Sequence, residues 1–109
     1  MRLKIDHRTI RVEGMPDDGD ARGLFHNREG VIQIEWGQPA DEQAETLIHE
    51  ILHAIWASRQ IQEPIDEEGA VSQLASGLAT VLRDNPRLAP ALISAFKKGK
   101  PIVTEPPQD

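Results

Sequence analysis

Histidines 49 and 53 stand one helical turn apart, with a glutamate directly after the first, in the run His49-Glu50-Ile51-Leu52-His53. Residues i and i+4 share a face of an α-helix. Both imidazoles can therefore reach one Zn²⁺ at a Zn–N distance of about 2.0–2.1 Å. Glu50 then stands beside the metal's water without being a ligand itself. An H-E-x-x-H helix is the sequence form of zinc-dependent hydrolysis. The metal acidifies a water, the glutamate takes its proton as general base, and the nucleophile attacks a peptide carbonyl. The candidate roles are thus metal ligation by His49 and His53 and catalysis by Glu50. The bland alternative is a helix that carries these polar residues with no metal at all.

The element that must position them is a helix over about Asp41 to Ser58. Ala44, Leu47, Ile48, Ile51, Leu52, Ile55 and Trp56 recur at helical spacing and form one apolar stripe. His49 and His53 fall on the flank of that stripe, and Glu50 lies further round. This spacing predicts histidines at the rim of the core, where a metal can be held and still be reached by water. Asp41 suits an N-cap or first-turn position, and Glu42 and Glu45 complement the positive helix end.

A catalytic zinc usually takes three protein ligands and leaves one position to water, and the motif supplies two. The extended form H-E-x-x-H-x-x-G-x-x-H is absent, because Trp56 and Arg59 occupy its last two defining positions. His7 and His26 lie well upstream on predicted strands or turns. Downstream, Glu67 and Glu68 open a second helix, about Glu67 to Arg83, after a polar connection (59–66) short enough to set the two helices antiparallel. Glu67 shares the apolar stripe of Val71, Leu74 and Leu78. Glu68 shares a flank with Ser72, Ala75 and Ala79, small residues that would permit close helix approach. On that ground Glu68 is the preferred third ligand, with Glu67 the alternative.

The remaining elements predict an α+β fold: a small sheet packed on the motif helix and a second helix, with a short third helix. Leu3, Ile5, Ile10 and Val12 are spaced as strand residues around a polar turn. Residues 24–35 read as a β-hairpin whose turn is Asn27-Arg28-Glu29-Gly30, with Gly30 suited to a positive φ. Its second strand, Val31 to Glu35, would serve as a peptide-docking edge if it lay at the border of the sheet. Asp84-Asn85-Pro86 stops the second helix, and Leu88 to Lys97 forms the third. Residues 1–97 are expected to make one domain and 98–109 a frayed tail.

With 109 residues there is room for one modest core. That core must be mostly Leu, Ile, Val and Ala, since the chain has two Trp, two Phe and no Tyr. The net charge of −6 disfavours a nucleic-acid-binding surface. The absence of cysteine excludes disulfides and Cys-ligated zinc and fits a reducing compartment. No stretch has the roughly 20 apolar residues of a membrane span. A cytoplasmic location is expected.

The run Glu45 to Ile55, followed by Asp66-Glu-Glu-Gly-Ala-Val-Ser-Gln-Leu-Ala75, resembles the gluzincin metallopeptidases. More narrowly it is similar to small phage and prophage zinc-peptidase-like proteins related to the ImmA/IrrE group. The resemblance covers about residues 22–86. It implies a minimal metallopeptidase fold, zinc held by His49, His53 and a downstream Glu, Glu50 as base, and a peptide or protein substrate. A regulatory protein in a phage or bacterial setting would be such a substrate. The group commonly has glycine before the second histidine; here that position is Leu52. The expected function is therefore metallo-endopeptidase, and the competing one a non-catalytic interaction module with the same fold.

Overall fold

The computed structural model describes residues 1–107. The chain order is β1 (Arg2–Ile5), β2 (Arg8–Met15), β3 (Gly23–His26), β4 (Val31–Glu35), α1 (Ala40–Ser58), α2 (Glu67–Asp84) and α3 (Leu88–Lys98). The expected α+β class is what is found. The alternation of Leu3, Ile5, Ile10 and Val12 sends all four side chains inward from the β1–β2 hairpin. Asp6 takes a positive φ of 55° in its two-residue turn, a conformation that Asp tolerates. In the β3–β4 hairpin Gly30 has a φ of 68°, as its place in the turn requires.

The two hairpins join through a parallel pairing of β2 with β4, so the sheet is mixed and runs β1-β2-β4-β3. Nothing in the local pattern announces that pairing. It corrects one expectation: β4 is interior, hydrogen-bonded on both sides, and of this hairpin it is β3 that lies at a border of the sheet, as β1 does at the other. The buried residues of β4 explain this, since Ile32 and Ile34 are both fully buried.

One face of the sheet carries the core. Ile10, Val12, Ile32 and Ile34 meet Leu47, Ile51 and Ile55 of α1. At ~1.5–3 kcal/mol for each fully buried aliphatic side chain, this contact is the main stabilising term of the domain. Helix α1 touches β1, β3 and β4, α2 packs on α1 and β1, and α3 packs on α1. On the other sheet face His26, Gln33 and Glu13 are joined by hydrogen bonds of 2.8 and 3.3 Å.

The stripe of α1 is rotated from the expected one. Gln43, Thr46, Glu50 and Ala54 are buried along with Ala44, Leu47, Ile51 and Ile55, while Ile48, Leu52 and Trp56 are only half-buried. The sheet claims the face on which the polar residues stand, and two of them, Thr46 and Gln43, are satisfied by hydrogen bonds. Thr46 Oγ1 donates to Gln38 Oε1 at 3.1 Å. Gln43 Nε2 donates to the carbonyls of Trp36, Gln38 and Val103, and its Oε1 accepts from the amides of Ile102 and Val103.

Those last bonds revise the expected tail. Ile102 and Val103 pack against the core and are clamped by Gln43, so the chain is docked well beyond α3. Helix α3 ends at Gly99, which takes the left-handed conformation at φ 67°. The start of α2 is capped by Asp66, whose side chain accepts from the amide of Gly69 at 2.9 Å. Its inward face is Leu74, Gly77, Leu78 and Val81. Gly77 is the point of close approach, since a Cβ there would collide with Ile55. The flank of Ser72, Ala75 and Ala79, expected to approach α1, is instead exposed.

Candidate metal centre

His49, Glu50 and His53 come together as a group whose ligand atoms all lie within 4.8 Å of one another. Three successive facts produce it. Helical spacing brings the imidazoles edge to face, with ring centroids 4.9 Å apart at an interplanar angle of 68°. Their Nε2 atoms face each other at 3.2 Å. Both histidines are exposed, whereas Glu50 is buried, with 6% of its surface accessible. The His-Glu-His group is thus a candidate site for a metal ion at the border of the core.

Glu50 owes its burial to β3. A Cβ built on Gly23 would collide with the Thr46 methyl and stand 3.1 Å from Glu50 Oε2. Only a residue without a side chain lets β3 pass this close to α1. Burial pushes the Glu50 carboxyl above the usual carboxylate range, and the neighbouring imidazoles His49 and His53 partly oppose that shift.

Clefts open on both sides of this point. One, of about 470 Å³, lies between the border strand and α1; Leu24, Phe25, Asn27 and Trp56 line it together with His53 and Glu50. The other, of about 300 Å³, is polar: Arg22, Glu42, Glu45 and Thr46 line it with His49 and Glu50. Arg22 is tied there to Glu42 by a 2.8 Å ion pair. Gly23 and Glu50 belong to both clefts, so the carboxylate stands where they meet.

Other residues considered as ligands fall elsewhere. His26 bonds Gln33 on the polar face of the sheet. His7 lies in the β1–β2 turn, next to Asp6, which bonds Ser58 and Arg59 at the far end of α1. Glu67 and Glu68 are both exposed in the first turn of α2, and neither joins the His-Glu-His group. Glu68 Oε1 instead accepts from Ser72 Oγ at 3.5 Å. The small-residue argument for Glu68 therefore loses its structural basis, because that flank faces solvent.

Sequence reasoning overlooked three residues at this centre. Gly23 and Arg22 fall at the end of a Gly-, Asp- and Pro-rich stretch (14–23) with loop composition, and Trp56 belongs to the apolar stripe. Only Trp56 carried a signal, being three residues beyond His53 and so on the same side of the helix. No protein-family model, curated protein or solved structure matches this chain.

Proposed function

We propose that this protein is a zinc-dependent peptidase of the H-E-x-x-H kind, with His49 and His53 as ligands and Glu50 as general base. The observation that carries the reading is the facing pair of Nε2 atoms at 3.2 Å. Two nitrogens bound tetrahedrally to zinc at about 2.0–2.1 Å stand about 3.3–3.4 Å apart, so the spacing of the pair is close to what the ion requires, and the metal would replace the hydrogen bond the two rings share. Zinc bound there would supply Lewis-acid polarisation of the scissile carbonyl and of a water molecule. Glu50 takes a proton from that water during attack and returns it to the departing amine. Its carboxylate is buried under Gly23 at the point where the two clefts meet.

An extended peptide is the substrate that suits the surroundings. The border strand β3 offers backbone groups on its open side, next to the cleft that holds His53 and Glu50. A peptide added there as a further strand would run across Glu50. Its apolar side chains would find Leu24, Phe25 and Trp56 on one side, and polar or basic ones Glu42 and Glu45 on the other.

One observation favours a second reading, a metal-stabilised interaction module without catalysis. The chain has no Tyr, and His26 lies on the opposite face of the sheet, so neither can stabilise an oxyanion opposite Glu50. The Glu50→Gln variant separates the two. The peptidase reading expects about one zinc per chain in wild type and variant alike, with cleavage of a peptide library falling about 10²- to 10⁴-fold in the variant. His49→Ala and His53→Ala should each lose the metal. Zinc binding without any cleavage by the wild type would leave the module as the better account, cleavage by Glu50→Gln at the wild-type rate would remove Glu50 as the base, and wild-type protein that takes up no zinc would remove both.

A further inference from the structure

We propose that the third protein ligand is Glu63, on the connection between α1 and α2, and not a carboxylate of the first turn of α2. This assignment rests on the zinc reading above and specifies its coordination sphere. A cavity of about 400 Å³ opens beside the motif helix, lined by His49, Leu52, His53, Trp56, Glu63 and Leu74. Both histidines and one carboxylate therefore face a single space. No other acidic residue lines it.

Helix α2 contributes Leu74 to that wall, which fixes where its other residues stand. Glu67 is seven residues before Leu74, on the same face but about 10 Å further along the axis at 1.5 Å per residue. Glu68 is six residues before it and about 120° round the helix at 100° per residue. Neither Glu67 nor Glu68 lines the cavity that both histidines line, whereas Glu63 does. The close Gly77–Ile55 contact holds α2 in this position against α1. Glu63 is exposed, and among the described residues it makes no hydrogen bond or ion pair. It stands outside the 4.8 Å His-Glu-His group, so metal binding would draw its carboxylate across the cavity.

The chemistry agrees with the geometry. Two neutral imidazoles and one carboxylate make the His₂Glu set of open catalytic zinc sites. Leu52, Trp56 and Leu74 make the remaining wall apolar. The attraction between a carboxylate and a dication is stronger against such a wall than in open water. Glu50, the other carboxylate near the histidines, stays free to serve as base.

The test compares the full-length wild type with Glu63→Gln, Glu67→Gln and Glu68→Gln. Zinc affinity is measured by chelator competition, and the visible spectrum is recorded after loading with Co²⁺. Glu63→Gln should weaken zinc binding by about 100-fold or more, beyond the 10- to 100-fold typical of lost supporting contacts, and change the Co²⁺ spectrum. The other two should stay within about threefold of wild type. Circular dichroism of the metal-free variants checks that each folds; Glu63 is exposed, so its variant should. If Glu67→Gln or Glu68→Gln weakens binding and Glu63→Gln does not, the ligand is on α2 and this assignment is overturned. If all three bind as wild type does, no glutamate among them is a ligand and it is again overturned. In both cases the peptidase proposal survives. Wild type that binds no zinc would instead defeat the proposed function, and this assignment with it.

Discussion

At the scale of single residues, burial divides the motif into two kinds of group. His49 and His53 are exposed and, among the described residues, hydrogen-bonded only to each other, while Glu50 is held under β3. A second residue-scale device lies at the opposite end of α1. Asp6 accepts a 2.6 Å hydrogen bond from Ser58 Oγ and a 3.0 Å charge-assisted bond from Arg59 Nη2. The Ser58 hydroxyl chiefly, and Arg59 after it, hold the Asp6 carboxyl below the usual carboxylate range despite some desolvation. A carboxyl depressed in the folded state stabilises the fold above its unfolded pKa. That contribution is lost as pH falls through the lower folded value. Wild type should therefore be more stable to urea than Asp6→Asn at pH 7, and the gap should narrow steadily below about pH 4. Asn tolerates the positive φ at this turn, so the comparison isolates the charge. Urea midpoints of both proteins at pH 7 and pH 3 provide the check; a gap that is constant or wider at pH 3 would count against this role.

At the scale of elements, the decisive contact is that of β3 with α1. The Gly23 position allows it, and the Thr46 methyl sets its limit. Gly23→Ala should lower the melting temperature, by an amount that matches overpacking of about 1–3 kcal/mol. Thr46→Ser removes the methyl and keeps the hydroxyl that bonds Gln38. Introduced into the Gly23→Ala background, it should restore part of the lost stability, and thermal denaturation of the two single variants and the double variant measures the coupling. Simple additivity of the two single changes would show that β3 avoids the methyl by moving elsewhere.

At the scale of the whole molecule, the segment after α3 acts as a strap. It ties the buried amide of Gln43, and through it the start of α1, to the loop that follows β4. Removal of residues 101–109 would strip Ile102 and Val103 from the core and leave Gln43 Oε1 without its two donors. A buried acceptor left unpaired costs about 1–3 kcal/mol, and the lost apolar burial adds to it. The truncated chain should unfold at clearly lower urea concentration, with a loss of about 2–5 kcal/mol. A frayed tail would be removed without effect. Among the described residues, no helix is long and apolar enough to cross a membrane.

Local chemistry is what the amino-acid sequence by itself determined. Helical period placed His49 and His53 on one face, turn chemistry placed Gly30, and alternation placed Leu3, Ile5, Ile10 and Val12 inward. Each depends on neighbours a few residues away, so a short window contains the cause. Tertiary structure decided the rest. It joined β2 to β4 in parallel, put β3 rather than β4 at a border of the sheet, turned α1 so that Glu50 is buried, and docked Ile102 and Val103 on Gln43. It also brought Glu63, an anonymous residue of a polar connection, to the cavity of the two histidines, and left Glu68 in solvent. The reason is common to all of these: each depends on which surfaces meet across long stretches of chain. Apolar burial fixes that meeting through the total area it removes from water, and no local spacing encodes which partner face supplies the area.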